Sequence, residues 1–138
     1  MAFEWNITHE SKHVPWAGTT TDGDILYLGL DYSAAAFVMA FAATEGGSPV
    51  ITLTNAAAGS QGVSATYDAA VVNPETGAVV GGTTIRPFIT EATLEALTWG
   101  GDASAPLVLH FDFLITPSGG TQFVLCSGTF TIKPGVGD

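Results

Sequence analysis

Residues 107–135 read LVLHFDFLITPSGGTQFVLCSGTFTIKPG. Two long runs of alternating apolar character flank a Pro-Ser-Gly-Gly turn, so the stretch predicts a β-hairpin. Because successive strand side chains point to opposite faces, Leu109, Phe111 and Phe113 belong to the core. His110 and Asp112 belong to the opposite face.

Upstream of the hairpin, TEATLEAL predicts one short helix near 91–97. Thr90 is placed to cap it, and Glu91 lies in the first turn, where the helix dipole favours negative charge. Towards the N-terminus the pattern is again that of strands. Phe3, Trp5 and Ile7 alternate with polar residues, and ILYLGLD at 25–31 is apolar enough to predict burial on both faces or an interface. AFVMAFAA at 36–43 is rich in alanine, yet Phe37, Met39 and Phe41 alternate with small residues, which favours strand over helix. VITLTN at 50–55 is β-branched, and residues 63–72 put Val63, Ala65, Tyr67, Ala69 and Val71 on one face before the NPETG turn. Residues 78–80 and 83–89 read as a strand interrupted at Gly81-Gly82. The expectation is an all-β chain: an antiparallel β-sandwich of about seven or eight strands with immunoglobulin-like architecture and the one short helix. The cysteines of antibody domains are missing, so that likeness is of architecture only. No linker or repeat divides residues 1–138, which are expected to form a single domain.

Hydrophobic residues make up 46% of the chain and charged ones 12%, which excludes a solvated, disordered chain. The longest apolar run, near 34–43, is about half of a membrane span. The first residues lack a basic region followed by an apolar one, so no leader peptide is expected and the product is made in a cytoplasm. Thirteen acidic residues against Lys12, Arg86 and Lys133 give a net charge of −10, the wrong sign for nucleic acid or an anionic membrane. The acidity serves solubility and mutual repulsion in one reading, and complementarity to a basic partner surface in a sharper one. Cys126 is the sole cysteine; it excludes an intrachain disulfide and reads as a buried, inert thiol.

No constellation for chemistry emerges. His110 and Asp112 share a strand face, as a base and its orienter would, but no GxSxG motif accompanies them. His9 and His13 have the i, i+4 spacing of helical metal ligands, but Pro15 and the preceding strand favour a loop with two solvated histidines. Asp22-Gly23-Asp24, with Asp31 beyond, lacks the pattern of a calcium loop and reads as a turn. The pairs Gly46-Gly47, Gly81-Gly82, Gly100-Gly101 and Gly119-Gly120 open no phosphate-binding helix and read as turns and bulges. Trp5, Trp16 and Trp99 would serve a carbohydrate-binding module if exposed, but read first as core or interface. No catalytic, cofactor-binding or metal-ligating residue is assigned, and a non-enzymatic protein is expected.

Residues 90–136 resemble a module of bacteriophage tail and baseplate proteins, including the N-terminal attachment domains of baseplate upper and tail-fibre proteins. The matching residues are Thr93, Leu94 and Leu97 with Trp99; Phe111-Asp112; Thr116-Pro117 with Gly119-Gly120; Gly128-Thr129-Phe130-Thr131-Ile132; and Pro134-Gly135-Val136, with Ile85-Arg86 at the preceding edge. The resemblance covers about a third of the chain. It implies a virion structural protein that docks on other phage proteins and self-associates, with no cofactor, nucleic-acid or membrane partner. In that family the module often continues into a fibrous receptor-binding part. A chain ending soon after Val136 is expected to be an adaptor, a fibre or spike base, or a capsid decoration or head-spike subunit. The runner-up from another class is a carbohydrate-binding module using exposed Trp16 or Trp99, and a hydrolase at His110 and Asp112 comes third.

Overall fold

Alternation at period two commits most of this chain to strands, and the strands assemble by register into two sheets. The computed structural model describes residues 3–9, 16–17, 25–57, 59–97 and 105–133. Among them are β1 (Phe3–Glu4), β2 (Ile7–His9), β3 (Trp16–Ala17), β4 (Ile25–Leu28), β5 (Ala36–Ala42), β6 (Pro49–Thr54), β7 (Gly62–Asp68), β8 (Gly82–Ile89), the helix α1 (Glu91–Glu95), β9 (Leu107–Thr116) and β10 (Phe123–Ile132). Seven of these strands have four residues or more. Sheet A has six strands in the order β1-β10-β9-β5-β6, with β2 also on β10. Sheet B has four, β3-β8-β4, with β7 on the other side of β8.

The fold is mostly β, in two sheets that share one apolar core and face each other in a sandwich-like way. Sheet A contributes Phe37, Phe41, Phe111, Phe113 and Phe130, and sheet B contributes Trp16, Val63, Ile85 and Ile89. Trp16 and Phe130 meet across the layers with ring centroids 4.9 Å apart. The Trp16 indole N–H is buried without a partner among the described residues. The sheets also join along one edge, where Ala56 N donates to Val63 O at 2.9 Å. That approach requires Gly62, whose φ is +141° and whose missing β-carbon would overlap the Thr54 carbonyl.

The closing hairpin forms as its pattern predicts. Residues of β9 and β10 pair from Phe123↔Ile115 to Ile132↔Leu107, with a bulge between Val124 and Cys126 that turns both Leu125 and Cys126 inward. Gly120 N closes the turn onto Pro117 O at 2.9 Å. The alanine-rich segment is strand β5, paired on both sides. Thr90 caps α1 as expected, its hydroxyl accepting from Thr93 N, and the side chain of Gln61 accepts from Thr90 N at 3.0 Å. Helix α1 ends at Glu95, two residues short of the predicted span, and buries Leu94.

Four expectations are corrected. The chain is not wholly antiparallel, because β1 and β2 both run parallel to β10. Alternation decides which face a strand buries, but carries no information on the direction of its neighbour. The N-terminal strand is broken at Trp5-Asn6, where the Asn6 side chain replaces the ladder by accepting from Thr129 N at 3.1 Å. Segment 25–31 is not buried on both faces: among the described residues β4 pairs only with β8, and Leu26 is 51% exposed. Strand β7 stops at Asp68, and of residues 78–80 only Val79 forms a bridge, to Val72.

Candidate functional site

The inner face of sheet A is consumed by the core, so any site on this sheet lies on its outer face. There the register sets small and polar side chains side by side. Asp112 on β9 lies opposite Ala40 on β5 and Ser127 on β10, and Ser127 lies opposite Glu4 on β1. One step along, His110 is flanked by Ala42 and Thr129. The floor is shallow because alanines 40 and 42 carry nothing beyond Cβ. The turn from Glu45 to Gly47 and then Pro49 bounds one side, giving a groove of about 860 Å³.

The N-terminal strand bounds the other side and is held there by short-range constraints. Trp5 N donates to Ser127 O at 2.9 Å, and Asn6 Oδ1 accepts from the Thr129 hydroxyl at 3.0 Å. Asn6 Nδ2 also donates to the Glu4 carboxylate at 3.3 Å. Gly128 permits this crossing, since a β-carbon there would overlap the Trp5 carbonyl. The groove therefore presents carboxylates of Glu4, Glu45 and Asp112, the His110 ring, and the hydroxyls of Ser127 and Thr129, with no cationic side chain among its lining. Acceptors in that arrangement suit donors, and carboxylates above all suit cationic ones. Among the described residues no three His, Cys, Asp or Glu side chains stand close enough to hold a metal ion.

His110 and Asp112 sit on the outer face as the alternation predicts, with Leu109, Phe111 and Phe113 buried beneath them. His9 is not solvated. It is 5% exposed in β2 and stacks on Phe130, with 6.3 Å between centroids. Its neighbours Thr8 and Ile7 make it part of an alternating strand rather than a loop, and His13 lies outside the described residues. Trp16 is fully buried, so it offers no sugar-stacking platform. Trp5 is half-buried against Phe111 at 6.2 Å and Trp16 at 6.3 Å. Trp99, Asp22-Gly23-Asp24 and Gly100-Gly101 lie outside the described residues. Asp31 makes a turn, accepting from Ser33 N at 2.9 Å and from the Ser33 hydroxyl at 2.6 Å, and these bonds hold its carboxyl below the ordinary value. Burial pushes the Cys126 thiol up to about 12, as expected for an inert side chain. The contributions of Glu4 and Glu45 were not legible in the sequence, where nothing but their charge sets them apart.

A second surface feature lies at one end of sheet B. Residues 71–80 fold back on themselves through Val72↔Val79, and Val72, Val79 and Val80 remain in solvent. Leu30 joins them, because Gly29 N bonds Gly81 O at 2.9 Å and the Thr83 hydroxyl donates to Leu30 O at 2.7 Å. Among the described residues no helix is long and apolar enough to cross a membrane. Compared with known proteins, the chain matches no protein-family model and no curated protein sequence.

Proposed function

We propose that this chain is a non-enzymatic structural component of a bacteriophage virion, an adaptor or a fibre or spike-base module that docks on other tail or baseplate proteins. The observation that carries the reading is the placement of large apolar residues. Leu30, Val72, Val79 and Val80, four of the nine large apolar residues exposed among the described residues, lie outside the core on segments whose backbones meet at one end of sheet B. Exposed apolar side chains on neighbouring segments support a surface that another protein covers. The likeness of residues 90–136 to phage attachment modules supplies the class of assembly. Its Phe111 and Phe130 lie in the core, and its Gly128 is where the N-terminal strand crosses.

The finer description of the fold as an immunoglobulin-like sandwich belongs to the same reading, and two facing sheets of mainly antiparallel strands support it. Self-association within the particle follows from the apolar end, and the net charge of −10 keeps free subunits apart and away from packaged DNA. The protein is expected in the virion after synthesis in the host cytoplasm. Mass spectrometry of purified particles tests this directly: the chain is expected as a stoichiometric component, and its absence overturns the proposal. Antibody labelling of intact particles then fixes the position, and label on the head would make it a capsid decoration or head-spike protein.

A further inference from the structure

Of the surfaces left free by the core, the outer face of sheet A combines concavity with charge of a single sign. Its groove draws carboxylates from three separate elements: Glu4 on β1, Glu45 on the turn after β5 and Asp112 on β9. Arg86 is not on this face: it lies on sheet B opposite Ser64, and Lys133 follows the end of β10, outside the lining. All three carboxylates are exposed, and no lysine or arginine lines the groove to neutralise them. Between the carboxylates lie Ala40 and Ala42, an apolar floor that matches the aliphatic stem of a long side chain rather than its head.

These features select among occupants. A second copy of the chain meeting this face with its own would set carboxylate against carboxylate. A single metal ion would need ligands closer together than the described acidic and histidine side chains are. A sugar-stacking platform would need an exposed Phe, Tyr or Trp face, and Phe111, the one such residue in the lining, is buried. An extended polypeptide carrying spaced cations satisfies all three conditions, since its side chains reach carboxylates that are spread along the groove.

We infer that the groove on the outer face of sheet A receives a lysine- or arginine-bearing extended segment of a partner protein. This inference rests on the docking-module reading only for the existence of a protein partner. It names the face and the chemistry of the contact, and it leaves the apolar end of sheet B for a different neighbour.

The test uses the full chain, isotope-labelled, titrated at low salt with a synthetic peptide of alternating lysine and threonine. A peptide with glutamate in place of lysine is the control. Amide shifts are expected at Ala40, Ala42, Asp112, Ser127 and Thr129, weakening as salt is added. The double variant Glu45→Gln/Asp112→Asn should bind more weakly by about fivefold for each carboxylate lost. The charge-matched variant Glu75→Gln/Glu91→Gln, altered away from this face, should bind within about twofold of the parent chain, and a thermal melt of each variant confirms its folding. No saturable binding, shifts centred on sheet B, or equal loss in both double variants overturns the inference. Because the titration needs no particle, its failure leaves the virion proposal standing, and absence from particles leaves the titration result standing.

Discussion

Two hairpins in this molecule look alike in sequence and end in opposite environments. The closing one, β9–β10, and the short one at 71–80 both set apolar residues around a turn containing Pro and Gly. In the first, Phe113 and Ile115 are completely buried; in the second, Val79 is 67% exposed. The difference is one of neighbours. Strand β9 lies between β10 and β5, and its inner face is covered by sheet B. The short hairpin has one bridge, and its turn is closed mostly by its own polar groups, with Gly77 N on Asn73 O at 2.8 Å and Glu75 N on Asn73 Oδ1 at 2.9 Å. Apolar composition therefore marks the core in one place and exposed surface in the other.

Substitutions should separate the two roles. Phe113→Ala removes a wholly buried ring facing Phe37, and urea unfolding is expected to show a loss of about 3–5 kcal/mol. A loss below about 1 kcal/mol would mean that the closing hairpin is not the centre of the core. Gly128→Ala forces a β-carbon against the Trp5 carbonyl and should cost about 1–3 kcal/mol. Hydrogen exchange should then rise first in residues 3–9 and leave the β9–β5 ladder protected. Val79→Ser should change stability by no more than about 0.5 kcal/mol, because the side chain is already in solvent. The same variant is expected to reduce incorporation into particles, and normal incorporation would detach the apolar end from docking.

The smallest effect concerns pH beside the short hairpin. Asp31 is held below its ordinary value of 3.8 by the Ser33 hydroxyl and then by the Ser33 N–H. A lowered folded value means that the stabilisation is present at neutral pH and is lost as pH falls through that value. Ser33→Ala should move the Asp31 titration back towards 3.8 in an NMR titration, and an unchanged midpoint would remove the turn as its cause.

Much of the fold was legible because local signals and tertiary demands agree there. The turn at Pro117–Gly120 and the alternation of Phe37, Met39 and Phe41 each specify an element from local signals, and the Thr90 cap is one that distant Gln61 reinforces. Where legibility failed, the cause was a partner remote in sequence. His9 is buried where β10 brings Phe130 to stack on it, and Leu26 is exposed because no described element covers its face of β4. The candidate groove was half legible: alternation put His110 and Asp112 on the free face, but nothing local brings Glu4 and Glu45 to them.

The sequence by itself determined that β5, β6, β9 and β10 are strands, which face of β9 is apolar, that Cys126 has no cysteine to pair with, and that the net charge is −10. Those properties depend on side-chain period, residue type and summed charge, all of which are local or additive. The tertiary structure decided the direction of β1 and β2, the burial of Trp16 and His9, and the gathering of three carboxylates into one groove. Those depend on which strands pair and in what register, and pairing is a contest among distant segments that no local pattern encodes.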